Sequence, residues 1–384
     1  MPNRSLFKRS FSNRASPNPA FPRRSLRNLF LFDRSTWMLG ALLMLPLAAD
    51  AQTTWETRLG ERIATLDEEA AGELGVFIHR LEDDTTLGHK SDRLWYLSSA
   101  VKVPIAIVLL QQVENGELSL DDELTLEASD RIDGAGELLW IDPGASYSLD
   151  NLLERMLIDS DNVATDMLIR AIGEETLNER IADMTRRGFF RDGGFEPITT
   201  LAEVRYGVYG EIHPKARELD RETLIEVAAA NIGPERVEAL RRVLDVEADA
   251  LETEDMTEAY SRYYDREVNS ATLESYAGLL TALVRGELLD DAHRQLLYEN
   301  LKLDTYDAYR LEGGLPREAA FIQKTGTQHR RACHMGVVEP TDPDRAIVIT
   351  ACTEAMDEAA PSEALLKRVG EAIAETMLES DEAA

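Results

Sequence analysis

Three short stretches of this chain carry residue types that can perform acyl transfer: Ser99-Ala100-Val101-Lys102, Ser160-Asp161-Asn162 and Lys324-Thr325-Gly326-Thr327. In the first, a hydroxyl and an amine lie three residues apart at the start of an apolar run, so on a helix both project to one side, one turn apart. A serine hydroxyl is a poor nucleophile until a base takes its proton, and a lysine can act as that base once burial lowers its pKa. A helix N-terminus adds positive potential at Ser99. Ser160 offers a second hydroxyl for passing protons, and Asn162 an amide that both donates and accepts hydrogen bonds. At the third stretch, Lys324 can hold a substrate carboxylate, Gly326 permits close approach, and the Thr327 backbone N–H can face an oxyanion.

Each pattern is weak by itself. Ser5-Leu6-Phe7-Lys8 has the same spacing as Ser99 to Lys102, the second stretch could be a plain helix cap, and the third an ordinary edge strand. Two considerations separate these matches from chance. Lys102 precedes Val103, Ile105, Ala106, Ile107, Val108, Leu109 and Leu110, a setting in which an unpaired amine is costly. From average residue usage, a given tripeptide turns up in a chain of this length less than about one time in ten, so all three in this order argue against coincidence.

The set SxxK, SDN and KTG in this order resembles the signature of class A β-lactamases and penicillin-binding proteins. The resemblance runs from about Val76 to Cys352 and includes Gly134-Ala135-Gly136 and Pro143-Gly144 ahead of SDN. It implies that Ser99 is the acylated nucleophile, Lys102 its activating or relay amine and Ser160 a proton shuttle. It further implies that Asn162 contacts a substrate amide, that Lys324, Thr325, Gly326 and Thr327 form the carboxylate site, and that the Ser99 and Thr327 amides hold the oxyanion. In class A enzymes a glutamate after SDN directs the deacylating water, and Glu196-Pro197, 36 residues beyond Ser160, is the matching candidate. The family has an asparagine four residues after that glutamate; here the position is Thr200, so fast deacylation does not carry over. Whether Lys102 or Glu196 is the acylation base stays open, and both are candidate catalytic residues.

The elements that must position these residues follow from periodicity. Trp55 to Ala71 predicts an amphipathic helix, Gly75 to Leu81 and Thr86 to Leu97 an antiparallel hairpin, and Val101 to Glu114 a helix buried on every face. Leu149 to Leu157 and Val163 to Ile172 read as helices flanking the SDN break. Residues 211 to 265 are charged and helix-prone (Arg221 to Ala230, Pro234 to Ala250, Glu252 to Tyr260), which marks an inserted helical subdomain. Ser270 to Arg285 and Asp291 to Leu301 predict helices. Ala320 to Thr327, Ala332 to Glu339 and Arg345 to Cys352 predict strands, and Ser362 to Leu378 a closing helix. The expected fold is α/β (α+β) and two-lobed, of β-lactamase-like type. A five-stranded antiparallel sheet flanked by helices comes from about 52–98 and 302–384, and an all-helical lobe from about 99–301.

Eight basic residues in 1–51 precede the apolar run Trp37 to Ala49 and the ending Ala49-Asp50-Ala51, the grammar of a secretory signal peptide cleaved before Gln52. Residues 52–384 are then the hydrolase domain, exported to the periplasm or secreted, without stable membrane association and expected to be a monomer. The whole chain carries a net charge of −30, and loss of the basic leader makes it more negative, which excludes a nucleic-acid partner. Cys333 and Cys352 fall on consecutive strands, where they either face each other as a disulfide or stand as two core thiols. His329, Cys333 and His334 are too close on one strand to point at one ion, so no metal site and no cofactor are expected.

The activity expected from this reading is β-lactam hydrolysis through an acyl-enzyme, on a small-molecule β-lactam or a peptidoglycan-like substrate. A D-alanyl-D-alanine carboxypeptidase or an esterase would use the same site, because one nucleophile and oxyanion hole serve any acyl transfer. A penicillin-binding sensor that is acylated without turnover is the third possibility.

Overall fold

The computed structural model describes residues 54–186, 194–302 and 309–378. The expected leader, 1–51, lies outside the described residues. Helix α1 (Trp55–Glu69) starts at Thr54, whose side chain accepts from the Thr57 N–H, and buries Leu59, Ile63 and Leu66. Strands β1 (Glu73–Arg80) and β2 (Thr85–His89) form a hairpin, β3 (Leu94–Tyr96) follows, and a 3-10 turn over Ser98–Val101 leads into α2 (Lys102–Glu114). The short strands β4 (Glu123–Thr125) and β5 (Ser146–Ser148) pair ahead of α3 (Leu149–Leu157), α4 (Asn162–Ile172) and α5 (Glu174–Arg186). Next come α6 (Leu201–Ile212), α7 (Arg221–Ala228), α8 (Pro234–Leu244), α9 (Met256–Tyr264) and β6 (Ser270–Thr272). The chain closes with α10 (Leu273–Val284), α11 (Asp291–Leu301), α12 (Arg310–Gly314), β7 (Phe321–Gln328), β8 (Arg331–Val338), β9 (Ile347–Glu354) and α13 (Ala360–Ile373).

The central sheet has the order β2-β1-β9-β8-β7, antiparallel throughout, so both ends of the chain build it as the sequence implies. Alternate residues face opposite sides. Leu74, Val76 and Ile78 of β1 pack with α1 and α13 through Leu59, Ile63, Leu366 and Val369. Phe77, Met335, Val337 and Val348 join the opposite layer, whose centre is α2. That helix is buried on all sides, from Val103 and Ile105 through Leu110. Cys333 and Cys352 stand directly opposite each other on β8 and β9 and are joined as a disulfide.

Two expectations from periodicity need correction. Thr86 to Leu97 is not one strand: it breaks at Lys90, which adopts a left-handed φ of 47°, and β3 leaves the sheet to pair with β6. The cause is Trp95, whose indole lies 2.2 Å from where a Gly75 Cβ would be and donates its Nε1–H to the Lys90 carbonyl. Helix also begins well before 211: Thr200 caps α6 by accepting from the Glu203 N–H. Helices α6 to α9 bury a core of their own, including Val208, Tyr209, Leu224, Leu240 and Tyr260, so they form a packed helical unit.

A cross-link closing a loop of this size contributes on the order of 3 kcal/mol, largely by restricting the unfolded chain. The double variant Cys333→Ser/Cys352→Ser should lose about that much stability in a denaturant titration. A loss below about 0.5 kcal/mol would show that the bond does not form in the folded protein.

Candidate active site

The peptide that carries Ser99 is bent twice over. Ser98 has a left-handed φ of 51°, a costly conformation for a residue with a side chain, and the 3-10 turn then delivers the chain to α2. The Leu97 N–H donates to the Asn269 carbonyl and the Tyr276 hydroxyl donates to the Ala100 carbonyl, holding the turn from both sides. Against this turn runs β7. A Cβ on Gly326 would lie 2.1 Å from the Leu97 carbonyl oxygen and 3.1 Å from Ser98 Cβ, so glycine is what lets the KTG strand lie against the Ser99 turn. Ser99 itself is half-buried at the surface of this junction.

Lys102, one turn further on, is fully buried. Its Nζ donates to the Ser160 carbonyl at 2.5 Å, to Ser160 Oγ at 3.2 Å and to Asn162 Oδ1 at 2.9 Å. Burial, and next the positive charge of Lys324, push its pKa well below the usual lysine value. Lys324, also buried, donates from Nζ to Ser160 Oγ at 3.1 Å, and burial followed by the Arg310 charge lowers its pKa to about 8. The Ser160 hydroxyl is thus held between two amines. A lysine that has lost its proton keeps two hydrogens and gains a lone pair, so one of the three Lys102 contacts can reverse and receive the Ser160 hydroxyl hydrogen.

SDN forms a rigid corner because each of its residues is tied down. Ser160 has a left-handed φ of 55°. Asp161 is the N-cap of α4: its carboxylate accepts from the Ala164 N–H and from the Leu138 N–H. The Asn162 N–H donates to the Ala135 carbonyl, and its Nδ2 donates to the Asp133 carbonyl at 3.1 Å. Glycines at 134 and 136 permit this approach, since Cβ atoms there would lie 2.2 Å from Asn162 Nδ2 and 2.1 Å from Asp161 Cγ.

Lys102, Ser160, Asn162 and Lys324 therefore converge through hydrogen bonds, and Gly326 lies against the turn that carries Ser99. Thr325 and Thr327 lie on the same strand and are engaged by residues the sequence reading missed. Arg310, buried with a left-handed φ of 54°, donates to the Gly326 carbonyl, to the Cys333 carbonyl and to Thr327 Oγ1 at 2.7 Å, while the Tyr309 hydroxyl lies 3.2 Å from Thr325 Oγ1. No motif marks Arg310, which reaches β7 only through tertiary packing. Glu196 stands apart. Its N–H donates to the Ser270 carbonyl and its side chain is half-buried, but among the described residues no hydrogen bond or ion pair joins it to Ser99, Lys102, Ser160 or Asn162. Thr200 uses its hydroxyl to cap α6. Cys333 is taken up by the disulfide, and His334, fully buried, accepts from the Leu311 N–H.

A third missed residue is Asp166, four residues after Asn162 and so on the same face of α4. Its carboxylate accepts from the Leu201 N–H at 2.7 Å and the Ala202 N–H at 3.0 Å, fastening the start of α6 to the SDN helix. Burial raises its pKa to about 7 against the pull of those two bonds.

The sequence profile of the Beta-lactamase enzyme family matches residues 58–377. The chain belongs to that family. A β-lactamase of Rhodobacter capsulatus is 30% identical over 131 residues, which span 34% of this chain and 44% of that relative, so the chain matches less than half the length of that curated relative. A solved β-lactamase of Xanthomonas campestris superposes with a TM-score of 0.61 at 20% identity, covering 84% of this chain and 99% of the other. An acyl-enzyme complex of a PBP-A variant with penicillin G superposes with a TM-score of 0.59 at 17% identity, covering 85% and 97%. The fold is accordingly that of the serine β-lactamases, with two lobes and a five-stranded antiparallel sheet.

Asp166 makes stability depend on pH in a defined sense. Its folded pKa is above its unfolded value, so its contribution is fully present below about 4 and is lost as pH rises through about 7. Asp166→Asn keeps an acceptor for one of the α6 N–H groups and does not titrate. Its melting temperature relative to the wild type should therefore rise between pH 4 and pH 8; a difference that stays flat over that range would contradict the assignment.

Proposed function

We propose that this protein is an exported serine hydrolase that is acylated on Ser99 and hydrolyses β-lactams. The observation that carries the reading is the Ser160 hydroxyl held between the buried amines of Lys102 and Lys324, with the KTG strand packed through Gly326 on the turn that carries Ser99. An amine whose pKa is depressed by burial sheds its own proton more readily than an ordinary lysine and is then free to accept the one from Ser99. In this reading the Ser99 oxygen attacks the lactam carbonyl and the proton passes to Lys102. The Ser99 and Thr327 N–H groups stabilise the oxyanion, and Ser160 hands its proton to the departing nitrogen while taking back from Lys102 the one that came from Ser99. Lys324, Thr325 and Thr327 hold the substrate carboxylate, and Asn162 meets the substrate's side-chain amide. Water activated by Glu196 then breaks the acyl ester. Residues 1–51 act as the export leader of a protein that works as a monomer, without a metal or cofactor.

A specific observation supports a second reading. Among the described residues no hydrogen bond joins Glu196 to the lysine and serine network, and the Thr200 hydroxyl is committed to capping α6 at the position where the family has an asparagine. An enzyme with this site that releases a penicillin-derived acyl group slowly would instead turn over peptides or esters, as a D-alanyl-D-alanine carboxypeptidase or an esterase, or persist as an acylated sensor. Among the described residues no helix is long and apolar enough to cross a membrane.

Three substrates decide between these: a penicillin, a chromogenic ester and a D-Ala-D-Ala peptide, with product and intact protein mass followed together. Ser99→Ala should abolish every adduct; an adduct that survives it would sink the proposal. Glu196→Gln should still be acylated but hold the acyl group, and free release would remove the assigned role. Lys324 carries its charge below about pH 8, so KM for a carboxylate-bearing penicillin should climb as pH rises through that value, while KM for the corresponding methyl ester stays flat. Parallel pH profiles for the two would show that Lys324 does not hold the carboxylate.

A further inference from the structure

One side chain of the inserted helices reaches the stretch that holds Asn162. Arg205 of α6 grips both oxygens of Asp133, with Nε 2.8 Å from Oδ1 and Nη2 2.5 Å from Oδ2, and its Nη1 donates to the Tyr260 hydroxyl of α9 at 2.9 Å. Both partners of the ion pair are largely buried, with side chains 11% and 15% exposed. The carbonyl of the same Asp133 is what receives the Asn162 amide at 3.1 Å.

We propose that Arg205 is a positioning residue for Asn162: by clamping Asp133 it fixes the carbonyl that orients the Asn162 amide, and so it governs recognition of a substrate that bears a side-chain amide. The inference rests on the reading that Asn162 meets that amide. Asn162 is polarised from two sides, because Oδ1 accepts from Lys102 and Nδ2 donates to Asp133. Turning the amide over would set Nδ2 against the Lys102 amine and Oδ1 against a carbonyl, so the Asp133 oxygen decides which way it points. One of the two Nδ2 hydrogens is thereby used, and the other is left to meet a substrate carbonyl. Asp133 lies in a stretch outside any helix or strand, so its carbonyl direction needs an anchor from elsewhere. A planar guanidinium that binds a carboxylate with two parallel bonds supplies one, since it fixes direction as well as distance. Buried ion pairs contribute little net stability on average, but losing one partner leaves the other free to move.

The test uses the full protein and two probes with the same reacting carbonyl: benzylpenicillin, which has the side-chain amide, and penicillanic acid, which lacks it. Arg205→Met should slow acylation by benzylpenicillin about ten- to a hundredfold more than acylation by penicillanic acid. The Asn162 side-chain amide resonance, assigned by its loss in Asn162→Asp, should also move. Asp133→Asn, which keeps the volume and removes the ion pair, should act in the same direction and serves if Arg205→Met does not fold. Arg205→Lys, which keeps the charge but not the fork, should fall between. Equal slowing of both probes, or an Asn162 resonance that stays in place, would overturn the proposal. Should neither probe acylate the wild type, the Ser99 reading fails by itself, and the amide resonance still decides the role of Arg205.

Discussion

A lysine amine without access to water must be surrounded by oxygen, and satisfying Lys102 organises the centre of this molecule. Its helix is apolar on every side, so the amine has no outlet to solvent and can be accommodated only if the SDN corner presents a carbonyl, a hydroxyl and an amide oxygen to it. That requirement explains the left-handed backbone at Ser160, which turns the Ser160 carbonyl and hydroxyl toward the same atom. It also explains why Asp161 is spent on capping α4: a corner that must hold its shape against a buried amine cannot fray.

The second constraint is the absence of a side chain at Gly326. Because the Leu97 carbonyl occupies the space a Cβ would need, the sheet and the Ser99 turn meet backbone to backbone. Lys324 and Ser99 are thereby carried on two backbone segments in direct contact. The disulfide, whose Cys333 pairs with Gly326 on the neighbouring strand, and the Arg310 bonds to the Gly326 carbonyl and Thr327 brace the same strand.

Much of this arrangement could be read from residue types alone, for reasons that are physical. SxxK, SDN and KTG are each local in sequence, so spacing is enough to single them out, although distant partners hold each in place. The five-stranded sheet followed from alternation near both ends of the chain. What escaped were features that depend on distant partners. Trp95 breaks its strand because it packs on Gly75, twenty residues earlier. Arg310 and Asp166 act across tertiary contacts to β7 and α6 that no periodicity encodes. Helix α6 was hidden for the opposite reason: its faces are apolar toward both the lobe and its companion helices, which blurs the amphipathic signal.

The excursion formed by α6 to α9 leaves and returns at almost the same point. The Asn269 N–H donates to the Pro197 carbonyl, its Oδ1 accepts from the Thr199 N–H, and the Glu196 N–H reaches Ser270. Once such a neck is zipped, the entropy of closing the chain grows only slowly with the number of residues beyond it. The far side of the excursion, at the junction of α7 and α8 around Gly233, can accordingly lengthen or shorten over generations at small energetic cost. Variation in size is thus decoupled from the cleft, whereas the short stem on either side of the neck is not free to drift.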